Sequence, residues 1–232
     1  MLPTKGIIAI LAAGLVAAGV YVVLSGRDAP ETVTPDPVVV APETPEVAAP
    51  LAVPEVTPIP EGTDLGLRIE VAGAAEGTIV IDLFEDVAGG HAAQIAALAR
   101  AGYYDGVVFH RVIDGFMAQT GDVEFGRVGA EGFDMRRAGM GGSPLPDLKA
   151  EFSDMPFERG VVGMARAQSP DSANSQFFIM FEPGPFLNGQ YTVVGRVTEG
   201  MEIVDAIKRG DERANGSVTG EPDRMVKVTV TE

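Results

Sequence analysis

Residues 109–122 read FHRVIDGFMAQTGD and form the most distinctive stretch of the chain. Two apolar runs overlap it, at residues 107–112 and 117–119, and turn residues including Asp114 and Gly115 separate them. Short β-branched or alternating runs that are bounded by turn residues are typical of strands in an antiparallel sheet. The stretch therefore predicts two strands joined by a turn, with an arginine on the first strand.

Similar short runs recur through the rest of the chain after residue 64. The chain has 29 glycines and no tryptophan, which suits a fold with many turns better than a helical bundle. The other predicted strands lie at residues 67–71, 78–83, 161–165, 176–181, 192–197 and 225–230. Helical spacing of apolar residues predicts two helices, at residues 91–101 and 201–208. About eight strands and two helices suggest a mainly β fold, a closed barrel plugged by helices.

Residues 6–25 form an apolar stretch without a charged side chain. A helix of about 20 residues rises about 1.5 Å per residue and spans the roughly 30 Å hydrocarbon core of a bilayer. Lys5 precedes the stretch, which places the N-terminus in the cytoplasm and the remainder outside. A cleaved signal peptide is the alternative, with a poor cleavage site at residues 23–25. Residues 1–27 are therefore assigned as a transmembrane anchor or a signal segment.

Residues 28–64 have a different composition, with nine prolines interleaved with Val, Ala, Thr and Glu. Proline fixes φ and removes a backbone donor, so neither a helix nor a central strand continues through such a segment. We expect an extended, disordered linker of up to about 3.1 Å per residue. It would separate a folded domain at residues 65–232 from the N-terminal segment.

The net charge of the chain is −16, which argues against nucleic acid as a partner. Such binding depends on Lys and Arg side chains that replace the counterions of the phosphate backbone. Cysteine is absent, and His91 and His110 are the two histidines of the chain. We therefore expect no thiol nucleophile, no metal site and no cofactor.

Three ordered motif blocks carry the functional prediction. The first is the stretch 109–122, the second comprises MARA at 164–167 and SANSQFFI at 172–179, and the third is PFLNGQYTVVGRV at 185–197. In order and spacing they closely resemble the signature segments of cyclophilins, which are peptidyl-prolyl cis–trans isomerases. The resemblance implies a closed eight-stranded antiparallel barrel with two capping α-helices and a substrate groove on its outer face.

The resemblance also implies which residues form the site. Arg111 is the main catalytic group, and Phe116 and Gln119 join it. The expected substrate-binding residues are His110, Met117, Ala165, Arg166, Gln176, Phe178, Phe186, Leu187 and Tyr191. Taken alone, each phenylalanine would most often be a core residue, and Arg111 would most often be a solvated strand residue. Only their place in the motif blocks favours the site.

These residue types suit rotation about an X–Pro bond. The barrier is roughly 18–20 kcal/mol because the amide nitrogen shares its lone pair with the carbonyl. No bond breaks, so the reaction needs no nucleophile, metal or cofactor. The lone pair localises on the nitrogen at the twisted geometry, where a positioned guanidinium can donate to it. Arginine keeps its proton at ordinary pH and is therefore a permanent donor.

Two positions depart from the best-known eukaryotic cyclophilin pattern. Phe186 stands in place of tryptophan and Tyr191 in place of histidine, changes that bacterial members commonly show. The loss of an indole N–H leads us to expect weak binding of cyclosporin and unimpaired catalysis. The loop between Gly121 and Phe152 also diverges from the family pattern, and its sequence predicts no role for it.

The expected partners are proline-containing polypeptides and, through the N-terminal segment, a membrane; the chain is expected to be a monomer. The expected location is the cell envelope, with the catalytic domain in the periplasm. The domain would be anchored to the inner membrane, or soluble if the N-terminal segment is cleaved. The leading hypothesis is an isomerase that assists the folding of exported proteins. The alternative is a chaperone or scaffold module that binds proline segments with little turnover, although such a groove would not need the arginine.

Overall fold

The computed structural model describes residues 51–53, 55 and 64–232. Over these residues, no helix is both long and apolar enough to cross a membrane. The predicted anchor or signal segment, residues 1–27, and most of the predicted linker, residues 28–64, lie outside the described part. The proposed domain boundaries therefore remain predictions, and the fold described below is that of residues 64–232.

A nine-stranded antiparallel sheet forms the body of this region. Its spatial order is β3-β9-β1-β2-β8-β6-β7-β5-β4. The strands are β1 Gly66–Ala72, β2 Gly77–Leu83, β3 Val107–Val108, β4 Arg111–Ile113, β5 Met117–Thr120, β6 Val161–Met164, β7 Phe177–Met180, β8 Val193–Glu199 and β9 Arg224–Thr231.

The two predicted helices are present, and the first is longer than predicted. α1 spans Glu85–Arg100 and α2 spans Met201–Ala206, and short 3-10 helices lie at Pro185–Leu187 and Glu212–Ala214. The first turns of α1 escaped prediction because they contain two glycines, which are poor helix formers, and because the backbone of Ala88 is not helical.

The predicted count of eight strands is wrong because the run 107–112 forms two strands that pair with different partners. β3 pairs with β9 and β4 pairs with β5, so Phe109 and His110 connect the two edges of the sheet. No ladder joins β3 directly to β4 in residues 64–232. The structure is therefore a curled antiparallel sheet with two helices, and the predicted closed barrel is not confirmed.

Two hydrophobic clusters cover opposite faces of strands β5, β6 and β7. Alternate residues such as Ala118, Val162 and Ile179 belong to the main core, which α1 also covers. The residues between them point the other way, because side chains alternate across a strand. Four of them, Met117, Val161, Phe178 and Met180, form a second cluster together with Phe157, Leu187 and Val193 from outside these strands. β6 and β7 are consequently buried at every residue.

Gly163 allows the second cluster to pack. A Cβ at this position would lie 2.5 Å from both Phe157 Cε1 and Phe178 Cζ, closer than real contacts allow. The two rings stack with their centroids 5.7 Å apart. A side chain on Gly163 would force them out of this arrangement.

We therefore predict that Gly163→Ala lowers the free energy of unfolding by roughly 1–3 kcal/mol, the usual cost of overpacking. Denaturant unfolding monitored by circular dichroism measures the effect. Gly89→Ala is the matched control, because a Cβ on this glycine of α1 meets nothing within 4 Å. The control should keep or slightly raise the stability. Equal stability of the two variants would contradict the packing argument.

Candidate active site

Residues in register across four strands form the floor of the site. Arg111 on β4 pairs with Gln119 on β5, which pairs with Phe178 on β7, which in turn pairs with Gly163 on β6. Directly opposed residues of an antiparallel ladder project from the same face of the sheet. Met117 lies two residues before Gln119 and shares that face. The face is the one opposite the main core.

A cleft of ≈ 440 Å³ lies over this row. It is lined by Arg111, Phe116, Met117, Gln119, Ala165, Arg166, Phe178, Phe186, Leu187, Gln190 and Tyr191. Ten of the twelve predicted site residues are therefore brought together, and Gln190 was not predicted. His110 and Gln176 do not line the cleft.

Aromatic side chains and one arginine form the walls. The 3-10 helix Pro185–Leu187 brings the ring of Phe186 to 5.4 Å from that of Phe116, between centroids. Phe178 meets Tyr191 edge to face at 5.9 Å. The Arg166 guanidinium lies 4.4 Å from the centre of the Tyr191 ring and donates to the Gln190 carbonyl. Phe186 is 62% exposed, so this wall is open to solvent.

A chain of hydrogen bonds begins at Arg111 and crosses the floor of the cleft. Arg111 Nη1 donates to Gln119 Oε1 at 3.1 Å, and Gln119 Nε2 donates to Gln176 Oε1 at 3.0 Å. Gln176 Nε2 then donates to the Gly141 carbonyl at 2.7 Å. Partial burial lowers the pKa of the Arg111 guanidinium, although arginine keeps its proton in proteins. Gln176 is thus connected to Arg111 through the Gln119 side chain.

Asn215, which was not among the predicted site residues, also binds Arg111. Arg111 Nε donates to the Asn215 carbonyl oxygen, and Arg111 Nη2 donates to Asn215 Oδ1, each at 3.0 Å. The two residues are 104 positions apart in the chain. No local pattern could have predicted the contact.

The divergent loop after β5 forms the wall of an adjoining cleft of ≈ 480 Å³, which Gln119 and Gln176 also line. The buried Asp122 carboxylate holds this loop by accepting from the backbone N–H groups of Gly139 at 2.7 Å and Gly141 at 2.9 Å. The same carboxylate accepts from the N–H of Phe125 at 2.9 Å. The loop thus has a defined place beside the site, which the sequence did not predict.

Comparison with known proteins gives the family. The family model for cyclophilin type peptidyl-prolyl cis-trans isomerases matches residues 67–230. This chain belongs to that family. The predicted membership and the predicted enzymatic class, a peptidyl-prolyl cis–trans isomerase, are confirmed.

Similar proteins come from bacteria and eukaryotes. A probable peptidyl-prolyl cis-trans isomerase of Brucella suis is 61% identical over 155 residues, which are 67% of this chain and 78% of the relative. Peptidyl-prolyl cis-trans isomerase B of Bacillus subtilis is 36% identical over 142 residues, or 61% of this chain and 91% of that protein.

Solved cyclophilin structures share the fold. Cyclophilin AquaCyp293 of Hirschia baltica has a TM-score of 0.58 at 26% identity, over 72% of this chain and 73% of its own. A Cryptosporidium parvum cyclophilin has a TM-score of 0.59 at 26% identity, over 72% of this chain and 97% of its own. That protein was also crystallised in the presence of the dipeptide Ala-Pro.

In this cyclophilin, His110 lies behind the site and not in the cleft. It is 5% exposed, and a Cβ on Gly139 would come within 3.0 Å of its ring. Burial lowers the pKa of His110 from 6.5 to about 4, against the opposing effect of the Asp122 charge. The imidazole is therefore neutral at physiological pH and offers no charge to a substrate.

The depressed pKa predicts how stability depends on pH. Below pH 6.5 the unfolded chain takes up a proton at His110 before the folded domain does, so the contribution of His110 is complete above pH 6.5. It is lost as the pH falls from 6.5 towards 4. Between pH 7 and pH 5 the parent should lose about 2 kcal/mol more than His110→Gln in the free energy of unfolding.

NMR titration of the ring nitrogens in the folded protein checks the cause directly. The His110 resonances should keep their neutral values down to about pH 4. A midpoint between pH 6 and 7 would show that burial does not control this group.

Proposed function

We propose that this cyclophilin accelerates X–Pro isomerisation by binding the proline ring in the cleft and donating a hydrogen bond from Arg111 to the twisted amide nitrogen. The observation that carries the proposal is the position of a partly buried guanidinium in the floor of a cleft, beside the apolar side chains that line it. The crystallisation of the Cryptosporidium parvum relative with Ala-Pro supports a proline-containing substrate.

The apolar part of the cleft suits the proline ring. Phe116, Met117, Phe178 and Leu187 line the cleft, and they are held by the second cluster: Met117, Phe178 and Leu187 belong to it and Phe116 packs against it. A ring held there keeps its position while the preceding carbonyl swings. Exclusion of water also strengthens any hydrogen bond to the reacting amide, since the local dielectric constant falls.

The guanidinium has donors left for the substrate. Three of the five N–H groups of Arg111 donate to oxygens of Gln119 and Asn215. The remaining two lie one on each terminal nitrogen, and Nη1 is also 3.9 Å from the weak acceptor Met117 Sδ. A donor held in place before the amide twists stabilises the twisted state more than either planar state.

The energetic requirement is moderate. Uncatalysed isomerisation takes on the order of 100 s, and a millisecond process is about 10^5-fold faster, which corresponds to about 7 kcal/mol. A single preorganised donor supplies about 3–4 kcal/mol of such a reduction. We assign the remainder to the binding of the ring in the cleft and to exclusion of water from the amide.

Arg111→Ala should reduce kcat/KM on a cis-prolyl peptide by roughly 10^2–10^3-fold, as for the loss of one transition-state donor. Peptide affinity should fall much less, because the apolar cleft remains. Arg111→Lys should also be poor, since an ammonium lacks the planar, forked geometry. A protease-coupled assay measures the rates, and thermal melting verifies folding.

Arg68→Ala is the matched control, because Arg68 is also an arginine on a strand but is exposed and lies on β1, away from the cleft. It should leave kcat/KM unchanged. If Arg111→Ala folds normally and keeps full activity, the chain binds proline segments without using this arginine for turnover, and the proposed mechanism is wrong.

We further propose that the enzyme assists the folding of exported proteins, attached to the cell envelope through residues 1–27. The uncharged apolar stretch 6–25 and the proline-rich segment after it support this location. Full-length protein should remain with the membrane after an alkaline carbonate wash, with the domain accessible to protease from outside. A shortened soluble form would indicate cleavage of the segment, and full-length protein in the cytosol would contradict export.

A further inference from the structure

Residues 210–218, which contain Asn215, are joined by main-chain hydrogen bonds to the two residues that flank Arg111. The backbone N–H of Val112 donates to the Gly216 carbonyl at 2.8 Å, and the Gly210 N–H donates to the Val112 carbonyl at 2.9 Å. The Val218 N–H donates to the His110 carbonyl at 3.0 Å. Asn215 is therefore held against β4 by main-chain bonds that do not depend on its own side chain.

Two glycines permit this close approach. A Cβ on Gly216 would lie 2.4 Å from Ile113 Cγ1, and a Cβ on Gly210 would lie 1.9 Å from the Gly216 carbonyl oxygen. Gly216 also has a positive φ of 77°, which side-chain-bearing residues rarely adopt. The segment is thus shaped to bring one residue, Asn215, to the guanidinium.

Asn215 has the backbone conformation needed to present two acceptors. Its φ of 55° and ψ of 37° are left-handed, and it is the one non-glycine residue with a positive φ in the described part of the chain. Asparagine tolerates this conformation better than most residues. Both its carbonyl oxygen and its Oδ1 accept from the same guanidinium, one from Nε and the other from Nη2.

We infer that Asn215 is a positioning residue for the reaction: it fixes the plane of the Arg111 guanidinium so that the two remaining N–H groups are held ready for the substrate amide. The inference rests on the catalytic role proposed for Arg111. Gln119 holds Nη1, and the Asn215 carbonyl holds Nε. The Asn215 side chain supplies the acceptor for Nη2, which completes the constraint on the plane.

Asn215→Gly isolates this acceptor, because glycine keeps the left-handed backbone and the main-chain carbonyl. In full-length protein, kcat on a cis-prolyl peptide should fall roughly tenfold, the lower end for a hydrogen bond to a charged group. KM should change much less, since the apolar cleft is intact. Asn215→Asp retains an Oδ acceptor and tolerance of the left-handed backbone, and should recover most of the lost rate.

The control and the double variant separate positioning from general damage. Glu212→Ala alters an exposed side chain of the 3-10 helix Glu212–Ala214, which directly precedes Asn215. This variant should leave kcat and the melting temperature unchanged. If Asn215 acts through the arginine, Asn215→Gly should add little to the loss already caused by Arg111→Ala. An additive tenfold loss in the double variant would overturn the assignment.

The remaining outcomes distinguish this inference from the proposed mechanism. If Asn215→Gly keeps the parent kcat while Arg111→Ala loses activity, Asn215 does not position the arginine and the catalytic role of Arg111 stands. If both single variants are fully active, the proposed mechanism fails and the role of Asn215 fails with it. An Asp variant as slow as the Gly variant would likewise overturn the positioning role.

Discussion

Strands β5, β6 and β7 are covered on both faces, and the rest of the site depends on this double coverage. On one face their side chains join the main core, and on the other they pack beneath the cleft. Gly163 makes the second packing possible, since two phenylalanine rings occupy the space above it. The floor of the site thus belongs to regular strands, which hold side chains more precisely than loops do.

Arg111 determines how the polar side chains on the floor of the cleft are oriented. A guanidinium only donates, so Gln119 must turn its Oε1 towards Arg111 and its Nε2 towards Gln176. Gln176 must then accept through Oε1 and donate onward to Gly141. One charged group therefore fixes the orientation of two neutral amides and connects the cleft with the divergent loop.

Periodicity predicted most of the strands and both helices, and the resemblance to cyclophilins predicted most of the residues that line the cleft. Seven of the eight predicted strand segments appear as single strands. The run 107–112 divides because its two halves form the opposite edges of the sheet, where β3 pairs with β9 and β4 pairs with β5. Local sequence does not encode this long-range choice of partners. Asn215 was missed for the same reason, since its partner Arg111 is 104 residues away in the chain. His110 was predicted from the cyclophilin motif, but it does not line the cleft, because it precedes Arg111 directly and successive side chains of an extended segment face opposite ways.

The short edges of the curled sheet limit its pairing with other polypeptides. β3 has two residues and β4 has three, and neighbouring segments bond to both: Val108 donates to the Gly126 carbonyl, and Val112 donates to the Gly216 carbonyl. An exposed edge would recruit extended polypeptides by β-augmentation and seed co-aggregation. With its edges short and occupied, the sheet gives an extended polypeptide little main chain to pair with.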